Sequence, residues 1–302
     1  MNGKPGRAVL YILFVILALL WGLSFVFTKT ALEALKPSEI MAVRWLIAAF
    51  LYSILWITGA VKICYKGKPL KPLLLLVLVE PVAYAYCETW GVKLTTASES
   101  SIFIGSIPLA VVALNFLILR RKPTARETTG VLAGFAGVAT CIIFAPGASA
   151  GSKLLGYFLL ICTVICGGVY NLLASAVSEN CSPVEMTCAM AIVGAIVFNL
   201  QNLLEGNGLH AYRVFFNGGS VMWALLFLGV GCSFIAYFIF NLEISNLPPV
   251  ATSCIATNTI NIVGVLAGIL ISRDSWGLYT VIGVILTVIG ITVTATGPMK
   301  KT

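Results

Sequence analysis

Charge is what this sequence has least of. Its 302 residues include 19 basic and 11 acidic side chains, 10% of the chain, while 59% are apolar and the mean hydropathy is +1.01. Soluble domains carry roughly 25% charged residues. A water-soluble globule could not cover this much apolar side chain with the polar surface available. A soluble enzyme, a disordered chain and a nucleic-acid binder are therefore excluded. The formal charge of +8 fits basic loops at an anionic membrane surface.

Histidine and aspartate are nearly missing, with only His210 and Asp274. A histidine-based metal site needs several ligands in register, and an intramembrane aspartyl protease needs two aspartates. Neither can be assembled, so no metal or cofactor is expected, and an enzyme is disfavoured for lack of acid–base groups. No G-x-x-x-x-G-K-[ST] loop is present to bind nucleotide. Of the nine cysteines most fall within apolar runs, where they read as small packing residues.

What the chain has is long apolar runs. A bilayer core takes about 20 residues of helix, and backbone groups in lipid must be satisfied within the segment. Ten segments fit, near 8–32, 38–60, 70–94, 97–120, 127–146, 153–178, 183–204, 219–243, 247–271 and 275–297. The fold class expected is an all-α polytopic membrane protein. The run after Lys4 and Arg7 is too long for a cleaved signal peptide and stays as the first helix. The longest loop, 205–218, reads as surface cover. With the N-terminus inside, the inner segments hold 12 of the 19 Lys and Arg. That bias places both termini in the cytoplasm.

Sliding the chain against itself by 153 residues brings Tyr84 onto Tyr237, Arg120 onto Arg273, Gly130 onto Gly283 and Gly137 onto Gly290. This predicts a duplication, with a first five-helix repeat over 1–147 and a second over 148–302. An odd number of spans per repeat inverts the second half in the membrane, the usual construction of a secondary transporter.

The stretch Trp21-Gly22-Leu23-Ser24-Phe25, followed by Lys29, resembles the first-helix signature of the drug/metabolite transporter superfamily, EamA type. Trp90-Gly91-Val92-Lys93-Leu94-Thr95-Thr96-Ala97-Ser98 resembles that family's junction between helices three and four. Pro108 and the glycines at 130–137 and 283–290 also match. The family's helix-nine proline is replaced here by Asn261. The resemblance implies a small-metabolite carrier of the prokaryotic plasma membrane, most often an exporter.

Glu80 and Glu88 are the sharpest chemical feature. A carboxylate in hydrocarbon is costly and is kept where it faces a cavity, finds a partner or carries a proton. At 100° per residue, Glu80, Tyr84 and Glu88 form one drifting stripe of the third span. Pro81 removes a backbone donor there and should kink the helix. Glu80 and Glu88 are the candidates for binding a substrate ammonium or relaying protons, with a structural pair of Glu88 with Arg44 or Lys93 as the alternative. The duplication adds Tyr237 and Asn241, equivalent to Tyr84 and Glu88. Trp21 and Tyr170 complete the expected substrate-binding set, as cavity wall or as packing. Arg44 is read as structural, snorkelling outward or pairing with a glutamate.

The function expected is secondary transport of a small polar metabolite, an amino acid or related amine, by alternating access, in the export direction. An uptake carrier, an exporter of organic cations, a membrane enzyme and a non-transporting scaffold are the alternatives. The partners expected are the substrate, the bilayer and protons; a monomer and a homodimer both remain open.

Overall fold

The structure is a computed structural model that describes residues 7–120, 122–145, 151–247 and 249–295. Among these the regular structure is helical throughout: α1 (Arg7–Leu32), α2 (Pro37–Ile57), α3 (Leu70–Val77), α4 (Tyr84–Leu94), α5 (Ala97–Gly105), α6 (Ile107–Leu119), α7 (Ala125–Phe144), α8 (Gly151–Val177), α9 (Pro183–Leu204), α10 (His210–Phe216), α11 (Gly219–Leu226), α12 (Tyr237–Asn246), α13 (Pro249–Leu270) and α14 (Leu278–Ala295). Two π-helical segments interrupt it, Leu78–Ala83 and Phe227–Ala236.

Local chemistry explains the helix starts. Thr96 with Glu99, Thr124 with Glu127, and Ser182 with Glu185 form capping boxes at α5, α7 and α9. In each, side chain and backbone satisfy donors that the first turn leaves open. Among the described residues, eight helical stretches are long and apolar enough to cross a membrane, from Val9–Leu32 to Gly219–Asn246, with shorter apolar helices at Thr259–Leu270 and Leu278–Thr294. Each overlaps one of the ten intervals read from hydropathy, and the ends of the eight long stretches differ from them by up to three residues. The protein is a multi-pass membrane protein. The termini and the expected boundary between halves, at 147 and 148, lie outside the described residues.

Side chains such as Val9, Ile12, Val15, Phe50, Leu74, Leu132, Phe158 and Ile196 remain exposed on the helix flanks. A bilayer covers such a surface; water would not. Inside, α1 packs on α13, α2 on α9, α4 on α8 and α7 on α14. The α7–α14 crossing is tight because it is lined by glycine. A Cβ on Gly130 would stand 2.2 Å from Thr294 Oγ1 and 2.5 Å from the Gly290 carbonyl oxygen.

The 205–218 loop does more than cover the surface. His210 Nδ1 lies 2.7 Å from Glu39 Oε1, and Lys36 Nζ donates to Asn207 Oδ1 at 2.6 Å, tying the loop to the start of α2. Burial works to raise the Glu205 carboxyl, but hydrogen bonds from Ser38, Gln201 and Asn207 and the Lys36 charge hold it below the usual carboxylate range. The loop before α3 makes an equivalent contact with the start of α9. There Cys64 N donates to Glu185 Oε1 at 3.1 Å, Tyr65 Oη donates to the Glu185 carbonyl at 2.8 Å, and Lys68 pairs with the Glu185 carboxylate.

Candidate functional site: a polar and aromatic cavity between the helices

The third span supplies the centre of the site. Pro81 cannot donate a backbone hydrogen bond, and the helix breaks beside it. Glu80 takes the extended conformation φ −133°, ψ 116° inside the Leu78–Ala83 segment. The kink expected from the proline is thus present, and it carries Glu80 with it. α4 then resumes, and Tyr84 and Glu88 follow one and two turns on.

These three side chains line one cavity together with Trp21, Ser24 and Phe25 of α1, Arg44 of α2, Tyr170 and Asn171 of α8, and Tyr237 and Phe240 of α12. Ile104, Ile107, Thr257 and Ile260 complete much of the wall. Gly167 lets Ile107 and Tyr84 pack close to the α8 backbone there, since a Cβ on it would come within 2.8 Å of Ile107 Cδ1 and 3.2 Å of Tyr84 Cε2.

Of the seven side chains singled out from sequence, six line this cavity: Trp21, Glu80, Tyr84, Glu88, Tyr170 and Tyr237. Asn241 stands behind the wall. Its Oδ1 accepts from Tyr170 Oη at 2.8 Å, and its Nδ2 donates to Thr187 Oγ1 at 3.1 Å. It orients Tyr170 and does not itself face the space. Trp21 is both wall and packing element, edge-on to Tyr237 and tilted on Phe240, each with ring centroids 5.1 Å away.

Glu80 is only 1% exposed and accepts a hydrogen bond from Tyr237 Oη. That bond joins α12 to the broken third span. A low-dielectric wall strengthens a hydrogen bond of this kind. Glu88 Oε2 lies 4.0 Å from Arg44 Nη1, the pairing weighed from sequence as the structural alternative for Glu88. Arg44 does not snorkel outward. It is 4% exposed, its Nε donates to Ser233 Oγ at 2.9 Å, and it lines the cavity. The bilayer makes the reason plain: a guanidinium this deep lowers its cost by turning to a carboxylate and a hydroxyl.

Arg44, Ser233 and Asn171 were not assigned to the site from sequence. Ser233 had a signal, because it sits 153 residues after Glu80. Asn171 donates from Nδ2 to the Gly167 carbonyl at 2.7 Å, while its Oδ1 has no partner, leaving a free acceptor in the cavity wall. Asn261, the departure from the family pattern, is fully buried beside Gly105 and is not among the lining side chains. Among the described residues no group of three or more His, Cys, Asp or Glu is placed to hold a metal.

Known proteins fit the same picture. The chain is 25% identical over 302 residues to YcxC, an uncharacterized transporter of Bacillus subtilis (strain 168), covering 99% of this chain and 96% of that one. An uncharacterized transporter of Archaeoglobus fulgidus is 23% identical over 273 residues, 90% of this chain and 93% of that one. A solved structure titled only "Crystal structure of protein" superposes with a TM-score of 0.70 at 16% identity, covering 95% and 96% of the two chains, and shares the fold. The EamA-like transporter family matches twice, over residues 9–143 and again over 154–296. With both stretches accounted for, the chain belongs to the EamA-like transporter family.

Proposed function

We propose that this membrane transporter is a secondary carrier of a small polar metabolite, an amino acid or related amine. It works by alternating access and exports from the cytoplasm of a prokaryote, with both termini inside. The observation that carries the reading is the charge balance of the cavity. Its wall holds two carboxylates, Glu80 and Glu88, one guanidinium, Arg44, and the unpartnered acceptor Asn171 Oδ1. One carboxylate is in excess, and a substrate ammonium completes the set. Trp21, Tyr170, Tyr237 and Phe240 surround the place where that ammonium would sit. Cation–π attraction there is worth up to about 2 kcal/mol once desolvated. The same aromatic wall would also suit an organic cation lacking a carboxylate, the second reading. Arg44 favours the first, because an amino acid also brings an anion.

Two five-helix halves of opposite orientation supply the motion. Several observations support the duplication. The family matches each half separately. Arg120 and Arg273, paired by the 153-residue shift, both lie in the left-handed region, at φ 52° and φ 54°. Both π-helical segments fall in equivalent spans, the third and the eighth. Helix packing also exchanges between halves: α1 against the Phe227–Ala236 segment has its counterpart in α8 against the Leu78–Ala83 segment. A pseudo-twofold arrangement of this kind puts the binding site where the halves meet and lets one rock against the other.

The test is a ligand-stabilisation screen on the purified protein with amino acids, amines, nucleosides and organic cations. A ligand that binds the folded state raises the melting temperature by mass action. The hit is then assayed for transport in liposomes. Glu80→Gln should abolish it. Unchanged transport by Glu80→Gln would remove Glu80 from the mechanism, and nucleosides as the sole hits would overturn the amine reading.

A further inference from the structure

One buried acid has no place in the cavity. Glu243 lies on α12, six residues beyond Tyr237. It is 0% exposed, and neither of its carboxyl oxygens has a hydrogen-bond partner. The other buried glutamates among the described residues are all engaged. Glu80 is bonded by Tyr237, Glu39 by His210 and the Lys36 amide, Glu99 by Lys153, Glu127 by the Thr124 amide, and Glu185 by Lys68. Nothing given by the cavity accounts for Glu243, which is not part of its wall.

The elements packed against α12 are α1, α8, α9, α13 and the Phe227–Ala236 segment. Their titratable groups are Tyr11 and Lys29 on α1, Lys153, Tyr157, Cys162, Cys166 and Tyr170 on α8, Glu185 and Cys188 on α9, Cys254 on α13, and Cys232 in the π-helical segment. None of them forms a hydrogen bond or ion pair with Glu243. A lone ionised carboxylate sealed in such a place carries an uncompensated desolvation cost, which a fold avoids by neutralising the group. A hard metal cation would need several oxygen ligands, and no hydrogen-bonding group attends these oxygens. The proton needs none.

We propose that Glu243 is a proton-binding site, and, resting on the transporter reading above, that it carries the coupling proton of the cycle. The carboxyl is neutral in the arrangement described here. It releases its proton when α12 moves and admits water. The helix is built to link that event to the substrate. Tyr237 on α12 bonds Glu80 in the cavity, and Asn241 bonds Tyr170 and Thr187. α12 also follows directly on the Phe227–Ala236 segment, a wide-turn stretch of the kind found at functional sites. Intramembrane acids of this type are the usual stations of proton relays. Glu80 and Glu88, read from sequence as candidates for binding an ammonium or relaying protons, each have a protein partner and are left to recognise the substrate.

The test uses the full chain in phosphatidylethanolamine–phosphatidylglycerol liposomes, with the proton itself as probe. Infrared spectra at neutral pH should show the carbonyl stretch of a protonated carboxyl free of hydrogen bonds. Glu243→Gln should lose that band, while Glu80→Gln and Glu243→Asp keep one. Sodium at fixed pH should leave it unchanged. Once a transported ligand is known, Glu243→Gln should keep ligand-for-ligand exchange and lose uptake driven by an imposed pH gradient. A band that persists in Glu243→Gln, disappears in Glu243→Asp or is displaced by sodium overturns the proton site. So does unaltered pH-driven transport. A band lost only in Glu243→Gln, with no metabolite carried by the wild type, upholds the proton site and counts against the transporter reading alone.

Discussion

Tyr237→Phe removes one oxygen atom and nothing else. The ring stays, and with it the contacts to Trp21 and to Trp45, whose centroids lie 5.1 Å and 5.4 Å away. What is lost is the hydrogen bond to Glu80, whose 1% exposure leaves no room for water to replace the donor. Leaving a buried polar group without its partner costs about 1–3 kcal/mol, against a net contribution of about 0.5–1.5 kcal/mol for an ordinary hydrogen bond. Tyr170→Phe is the matched control. It breaks the 2.8 Å bond to Asn241 Oδ1 and the 3.9 Å contact with Met190 Sδ, and Asn241 keeps its bond to Thr187. Tyr237→Phe should therefore cost about 1 kcal/mol more than Tyr170→Phe. The assay is equilibrium unfolding in mixed micelles titrated with dodecyl sulfate, followed by circular dichroism. A double-mutant cycle isolates the bond. With Glu80→Gln, Tyr237→Phe should couple by about 1–2 kcal/mol, while Tyr170→Phe stays below about 0.5 kcal/mol. Equal losses for the two tyrosines, or no coupling between Tyr237 and Glu80, would refute the reasoning.

Two further outcomes follow from packing and topology. Gly130→Ala sets a methyl against the Gly290 carbonyl oxygen and Thr294 Oγ1, whereas the atom nearest a Cβ at Gly134 is the flexible Leu109 Cδ1, at 2.2 Å. Overpacking costs about 1–3 kcal/mol against a gain of about 1 kcal/mol from helix propensity, so Gly130→Ala should lower the melting temperature and Gly134→Ala should not; the reverse order contradicts the close α7–α14 crossing. Cysteines placed at Lys66 and Lys122 should react with an impermeant maleimide only in opened cells, and one at Glu33 in intact cells; the opposite accessibility would invert the proposed orientation.

Hydropathy located the crossings well because lipid imposes one local rule, a long apolar run with its backbone bonded within itself. The site was legible for a related reason. Ionisable groups are so few that Glu80 and Glu88 stood out, and a stripe at helical spacing brought in Tyr84. Pro81 announced the break in the third span. The break in the eighth carries no proline. Its sequence, Phe-Leu-Gly-Val-Gly-Cys-Ser-Phe-Ile-Ala, holds only two glycines as a local sign, and the segment packs against α1 and α2. Arg44 was left open between water and a glutamate because a long side chain can reach either from the same position, and only tertiary structure decides, here in favour of Glu88. Glu243 escaped notice because hydropathy ended the eighth span at that residue, where a carboxylate passes for a surface group. The helix runs on to Asn246, and three residues separate an interfacial acid from a buried one.

The proposed duplication also explains why fold is easier to read than substrate. Adding 153 to Glu80, Tyr84 and Glu88 gives Ser233, Tyr237 and Asn241, and the structure gathers all six at or behind one cavity. Two faithful copies would have placed four carboxylates around a water-poor space, where like charges repel strongly. Serine and asparagine in the second copy remove two of them. They also create the contacts that hold the site together: Ser233 accepts from Arg44 and Asn241 from Tyr170. Packing residues such as Gly130 and Gly283 keep their spacing under the 153-residue shift, as the symmetric frame of the proposed alternating access needs. Recognition needs the opposite. On the proposed reading, a substrate with one cationic end meets Glu80 and Glu88 from one half and no carboxylate at the equivalent places in the other, while Tyr84 and Tyr237 line the cavity from both.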